Sequence, residues 1–275
     1  MITLTGFADE ISPDLEVQLD VLASVGISHL ELRGVWGKNV LQLTDEEAAA
    51  VKARLGERGF RVSSIGSPIG KINITDAFEP HLNDFRRAIA LAKLFEAPYI
   101  RIFSFFIPEG EDPAGYREEV LSRMTQLARL AEQEDIVLLH ENEKEIYGDN
   151  GERCLEILQA CDSPNLRGAF DPANFVQCGV RPMSEAYPLV SPFIEYIHIK
   201  DALMESGKVV PAGEGDGELR ELIGTLKQRG YAGFMSLEPH LSAAETFQGF
   251  SGPELFVAAV DALKKLLAEA DIEWN

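Results

Sequence analysis

Eight short apolar, β-branched runs recur along this chain, each followed by a stretch of helical periodicity. That alternation restricts the fold more than any other property of the sequence. The runs read as strands over Ile2–Phe7, His29–Arg33, Arg61–Ile65, Tyr99–Phe103, Ile136–Glu141, Leu166–Asp171, Tyr196–Lys200 and Phe234–Glu238. Between and after them, amphipathic helices are expected over Leu15–Val25, Thr44–Arg58, Phe78–Phe95, Tyr116–Gln133, Arg153–Ala160, Ser184–Leu189, Leu219–Arg229 and Pro253–Ala268. Thr44-Asp45-Glu46-Glu47 is a capping box, in which hydroxyl and carboxylate satisfy first-turn amides. Gly59 and Gly230 follow helix ends, where glycine enters the left-handed conformation at least cost. Strands that alternate with helices form a parallel sheet, because each crossover needs a helix to return the chain. Eight units of about 34 residues in a 275-residue chain match an α/β fold of the (β/α)₈ type. A doubly wound open sheet is the alternative, but no G-x-G-x-x-G follows the first strand. No Pro/Gly/Ser linker or change of composition divides the chain, so one domain spanning 1–275 is expected rather than two of half the size.

Charge limits the partners. With 25 Lys+Arg against 45 Asp+Glu, the formal net charge is −20, which opposes binding to a nucleic-acid backbone or an anionic membrane surface. A small anionic substrate is not excluded, since one local cation reverses the field in a cleft. The first ten residues carry no basic stretch followed by an apolar run, and no segment reaches the roughly 18 uninterrupted apolar residues of a membrane span. The three cysteines, Cys154, Cys161 and Cys178, form no C-x-x-C pair. On a helix Cys154 and Cys161 stand roughly 10 Å apart, too far for a disulfide. Free thiols and a cytoplasmic location are expected.

The chemistry gathers at the ends of the last four strands, the end of a barrel on which active sites are built. They read Leu138-Leu139-His140-Glu141-Asn142, Ala169-Phe170-Asp171-Pro172-Ala173-Asn174, Tyr196-Ile197-His198-Ile199-Lys200-Asp201 and Ser236-Leu237-Glu238-Pro239-His240. Each puts one metal-capable group where the apolar run stops: Glu141, Asp171, His198 and Glu238. Taken alone, a glutamate at a strand end is usually a solvated loop residue, and a lone histidine usually a structural one. Four in register on consecutive strands converge on one point, and an acidic cluster there calls for a compensating cation. Three carboxylates and an imidazole suit one divalent ion, Mn²⁺ first, with Mg²⁺, Co²⁺, Fe²⁺ or Zn²⁺ also compatible.

These strand ends, together with the His-x-Lys-Asp phrase at 198–201 and the loop Pro211-Ala212-Gly213-Glu214-Gly215-Asp216-Gly217, resemble the xylose isomerase-like TIM barrels. The likeness covers essentially the whole chain and is strongest to the bacterial sugar phosphate isomerase/epimerase group. It implies a metal-dependent enzyme acting on a sugar or keto-sugar. In it, Glu141 and Glu238 would bind the metal and also act as the acid/base pair on opposite faces of the substrate, while Asp171 and His198 would be ligands. Proton abstraction beside a carbonyl, through an enediolate, is the implied first step. Two positions depart from the ketose 3-epimerases: Asn174 stands where they carry a histidine, and Met204 where they carry an arginine.

Around this centre, Asn174, Lys200, His240, Glu10 and Arg33 are the candidate substrate-binding residues. Lys200 is equally readable as an oxyanion or phosphate contact or as a solvated rim lysine. His240 reads as a proton shuttle or an orienting group, and Glu10 and Arg33 as hydroxyl contacts or a loop ion pair. Trp36, Phe103, Phe105, Phe106 and Tyr147 offer an apolar wall or ordinary packing, and Phe247 and Phe250, flanking Gly249, a lid or subunit contact. The Gly213–Gly217 loop carries Glu214 and Asp216 and no P-loop lysine, so a turn fits it better than a phosphate cradle. An isomerase or epimerase leads. A dehydratase or lyase acting on a keto-inositol or oxidised glycoside by the same first step follows, and then a non-catalytic sugar-binding barrel. A homo-oligomer is compatible with the sequence.

Overall fold

The computed structural model describes residues 1–241 and 251–275. Eight parallel strands form one ring: β1 (Thr3–Gly6), β2 (His29–Leu32), β3 (Arg61–Gly66), β4 (Tyr99–Ile102), β5 (Val137–Glu141), β6 (Leu166–Phe170), β7 (Ile194–Ile199) and β8 (Phe234–Leu237). Neighbours pair in the order β1-β8-β7-β6-β5-β4-β3-β2, and a parallel bridge between Phe7 and Glu31 joins β1 to β2 at the seam. The fold is a (β/α)₈ TIM barrel.

Helices α1 (Leu15–Ser24), α2 (Asp45–Glu57), α3 (Phe78–Phe95), α4 (Arg117–Gln133), α5 (Gly151–Cys161), α6 (Pro172–Gln177), α7 (Tyr187–Val190), α8 (Leu219–Gln228) and α9 (Pro253–Glu269) connect and cover the strands. The capping box on α2 forms as read: Thr44 Oγ1 accepts the Glu47 amide and Glu47 Oε2 the Thr44 amide. Short α6 was not foreseen, although Asp171-Pro172 is an N-cap followed by proline at the first helical position. The helix expected at 184–189 is a π-helical turn over Pro182–Ala186 running into α7. Two short hairpins rise from the strand ends, Gly34–Val35 with Lys38–Asn39 and Asp201–Ala202 with Val209–Val210.

Strand alternation sorts side chains to the two faces of the ring. Leu4, Leu30, Ile100, Leu138, Ile197 and Met235 belong to the large apolar layer shared with the helices. The opposite set fills the interior in tiers. Tyr99, Leu139, Ala169, Tyr196 and Phe234 form an apolar plug, with the Tyr99 and Tyr196 rings 5.8 Å apart. Beside it runs a buried hydroxyl chain, Thr5 Oγ1 to Ser63 Oγ at 2.8 Å and Ser63 Oγ to Tyr196 OH at 2.9 Å. Above lies the charged tier described next. Cys154, Cys161 and Cys178 are free thiols. Among the described residues no helix is long and apolar enough to cross a membrane. Phe247, Gly249 and Phe250 lie outside the described residues.

Candidate metal centre at the barrel mouth

Glu141 is the last residue of β5, Asp171 follows β6, His198 lies near the end of β7, and Glu238 follows β8. One ligand atom from each lies within 4.8 Å of the others, and all four side chains are buried. Asp171 has a double task. Its Oδ1 accepts the Asn174 amide at 2.8 Å, capping α6, which leaves Oδ2 turned to the cluster. Asp171 Oδ2 and His198 Nδ1 are buried and make no hydrogen bond of acceptable geometry, although each has an ionic neighbour. Ligand atoms that make no hydrogen bond and converge from neighbouring strands fit a bound cation.

Among the described residues six carboxylates, those of Asp9, Glu10, Glu31, Glu141, Asp171 and Glu238, face three permanent cations. Lys200 Nζ bridges Asp171 Oδ2 and Glu238 Oε2, at 3.0 Å from each. Arg33 reaches Asp9 at 2.7 Å and Glu10 and Glu238 at 2.9 Å. Arg101 donates to Glu141 Oε2 at 2.7 Å. Both guanidiniums lie over the Phe7 ring, 4.5 and 5.2 Å from its centroid. Burial pushes Asp171 up to about 6, with Glu141 and Glu238 adding to the effect and Lys200 opposing it. Burial also works against ionisation of Glu141, but His198 and Arg101 outweigh it and hold that carboxyl below the usual range. Glu238 is held low in the same way, by Lys200, His240 and Arg33 against burial. For His198 burial favours the neutral ring, and Glu141 and Glu31 overcome it.

The other sequence candidates also reach the site, several in altered roles. Lys200 is buried, so it is neither a solvated rim lysine nor free for a phosphate. Glu10 and Arg33 do form the loop ion pair, and Arg33 extends it to Glu238. Asn174 does not offer its amide protons to solvent: its Nδ2 donates to Glu141 Oε1 at 3.1 Å and to the Asn142 carbonyl at 2.9 Å. His240 reaches the centre through a left-handed backbone (φ 43°), with Nε2 2.9 Å from Glu10 Oε1 and 3.5 Å from Glu238 Oε1. Phe103, Phe105 and Tyr147 are packed inside and form no wall, whereas Trp36 is exposed at a hairpin tip. Beside Arg33 opens a cavity of about 450 Å³, lined also by Asp9, Pro13, Val35, Lys38 and Asn39.

The glycine loop is a turn wrapped round a carboxylate. Asp201 accepts the amides of Gly213 (2.8 Å), Gly215 (3.0 Å) and Gly217 (2.8 Å) as well as that of Ala202 (2.9 Å). A Cβ at Gly215 would stand 2.4 Å from Asp201 Oδ1, so the close approach requires glycine. The amides that a phosphate would use are taken by Asp201.

Sequence reading missed Asp9, Glu31 and Arg101. The last two had a signal: a charge between two apolar residues in a strand, Leu30-Glu31-Leu32 and Ile100-Arg101-Ile102, points into the barrel by alternation.

The fold and this constellation define a barrel enzyme scaffold with a candidate divalent-metal centre. The family model described as xylose isomerase-like TIM barrel matches residues 19–268, and the chain belongs to that family. Among curated proteins, the 3-dehydroshikimate dehydratase of Bacillus anthracis is 22% identical over 176 residues, 64% of this chain and 62% of that protein, so the match leaves more than a third of the relative uncovered. Among solved structures, a D-tagatose 3-epimerase-like protein superposes with a TM-score of 0.77 at 17% identity, covering 98% of each chain. A xylose isomerase-like TIM barrel protein from Mycobacterium smegmatis, in complex with magnesium, gives 0.68 at 22% identity, covering 97% of each. At these identities the structural likenesses establish the fold. The family match, with a dehydratase among the similar curated proteins, supports an enzyme here.

Proposed function

We propose that this protein is a divalent-metal-dependent isomerase or epimerase of a sugar or keto-sugar, working by proton abstraction beside a carbonyl. One observation carries the reading: Glu141 and Glu238 flank Asp171 and His198 in strand order within one buried cluster, each carboxylate paired with an arginine. Glu141, Asp171, His198 and Glu238 would hold the ion, Mn²⁺ in first place. When bound, such an ion polarises a carbonyl and offsets the charge of an enediolate.

The residues of the chain supply the rest. One of Glu141 and Glu238 takes the proton from carbon, and the other, on the opposite face, returns one that has been exchanged with solvent. His240, 28% exposed at its side chain and 3.5 Å from Glu238 Oε1, connects that carboxylate to solvent. Lys200 sets its ammonium beside Glu238 and Asp171, where negative charge on a substrate oxygen would be stabilised. Arg33, Arg101 and Asn174 fix the geometry of the two glutamates. The three unpaired thiols are in keeping with a reducing cytoplasm.

A second reading, elimination of water or of an aglycone after the same first step, is favoured by the similarity to the dehydratase. Incubation of the Mn²⁺-loaded protein with free keto-sugars in D₂O separates the two. Deuterium beside the carbonyl with recovery of an isomer supports the first, and loss of water or aglycone the second. E141Q and E238Q should each lower turnover by about 10²–10⁴-fold. Absence of exchange and turnover across the substrates would leave a sugar-binding barrel.

A further inference from the structure

The His198 ring is fixed on every side. Phe7 and Tyr196 meet it edge to face, at centroid distances of 5.3 and 5.7 Å and interplanar angles of 74° and 87°. Nδ1 looks into the cluster, 3.1 Å from Glu141 Oε1 and 4.0 Å from Asp171 Oδ2. Nε2, on the opposite edge, lies 3.2 Å from Glu31 Oε2, and Ser236 Oγ donates to that same oxygen at 2.8 Å. Glu31 and Ser236 are fully buried. A carboxylate in the middle of an apolar strand is costly unless something uses it. Glu31 reaches through the interior from β2 to the one imidazole in the candidate ligand set, on its outer side.

An imidazole binds a cation through one nitrogen while the other keeps its proton, and the hydrogen-bond partner of the second nitrogen decides which is which. The aromatic contacts set the plane of His198 but say nothing of where its proton sits. A carboxylate accepts and never donates, so it selects the Nε2–H form. We infer that Glu31, seconded by Ser236, is the positioning residue that keeps the His198 proton on Nε2 and so presents the Nδ1 lone pair to the centre formed with Glu141, Asp171 and Glu238. This rests on the metal-dependent reading above and adds to it a group that touches neither metal nor substrate.

The test is Mn²⁺ affinity of the full-length protein, measured by competition with a chromogenic chelator, for wild type, E31Q, E31L and S236A. E31L should bind about 10–100-fold more weakly than wild type, E31Q about tenfold more weakly and S236A a few-fold, the typical range for loss of such a partner. In the Mg²⁺-loaded wild type, ¹⁵N NMR should show the one-bond N–H coupling of His198 at Nε2, and in E31L, left partly metal-free at the same Mg²⁺ concentration, the metal-free fraction should no longer confine the proton to Nε2. A merely structural Glu31 would lower the melting temperature of the variants without moving either readout. Should E31L not fold, E31Q decides. Wild-type affinity in E31Q and S236A, or an unprotonated Nε2 in the loaded wild type, overturns the inference while leaving the metal reading intact. Failure of the wild type to bind Mn²⁺ overturns that reading itself, and the inference with it.

Discussion

The Arg101 guanidinium donates to Glu141 Oε2 at 2.7 Å, with the two side chains 5% and 1% exposed. Arg33, which also lies over the Phe7 ring, does the same for Glu238, at 2.9 Å. Each glutamate proposed for proton transfer is thus paired with a guanidinium, Arg33 serving Asp9 and Glu10 as well, and both guanidiniums lie over one aromatic ring. Such pairs stabilise little over an apolar core of the same shape, but removing one partner strands a buried charge.

The Arg101→Met variant should therefore be destabilised by about 3–5 kcal/mol in urea unfolding without added metal. The double variant R101M/E141L, which removes both charges, should recover most of that loss. A loss below about 1 kcal/mol in R101M would show that Glu141 is compensated without Arg101.

Asp201 holds the 213–217 loop by accepting four backbone amides. Hydrogen bonds to a charged group each contribute about 1.5–3 kcal/mol, and their losses at one site are not additive. Asp201→Ala should cost about 3 kcal/mol or more. Gly215→Ala should cost about 1–3 kcal/mol through the 2.4 Å clash with Asp201 Oδ1. Faster amide hydrogen exchange at Gly213, Gly215 and Gly217 in D201A would show where the stability went, and unchanged exchange would contradict the assignment.

The β/α rhythm made the barrel legible because a buried parallel strand is a nearly unbroken apolar run and its helices are not. All eight strands fall where they were read, to within two residues at either end. The metal-capable groups were legible for a related reason: Glu141, Asp171, His198 and Glu238 each interrupt such a run at its carboxyl end. What escaped was pairing. Asn174 reads as a hydroxyl contact until α6 brings its amide onto Glu141, and Lys200 reads as a rim residue until Asp171 and Glu238 are seen on either side of it. Those partners are 33, 29 and 38 residues away along the chain. Glu31 and Arg101 passed unnoticed because charge in mid-strand has meaning only once the strand is known to face a polar interior.

Stability should also depend on a histidine remote from the centre. His81 Nε2 accepts the Gly70 amide at 2.7 Å, which an imidazolium cannot do. Burial holds its pKa below the usual 6.5, Arg123 adding to the effect and Asp84 opposing it. A base depressed in the folded state takes up its proton more readily when unfolded. The stability it contributes is present above pH 6.5 and is lost as the pH falls below that value. His140, pushed down to about 4 by burial, and His29 act in the same direction. His81→Gln, whose amide oxygen can accept from Gly70, should flatten the fall in unfolding free energy between pH 7 and pH 5 by up to about 1.4 kcal/mol per pH unit. An unchanged slope in H81Q would contradict a neutral, buried His81.

The most direct test of the account is the anomalous scattering of Mn²⁺-loaded crystals at the manganese edge, with the metal content of the same protein measured in solution. The account predicts one strong peak per chain, among Glu141, Asp171, His198 and Glu238, and one Mn²⁺ per chain in solution, both lost in D171N. Mn²⁺-loaded protein with no peak among those four side chains, or a D171N variant with undiminished occupancy there, would contradict it.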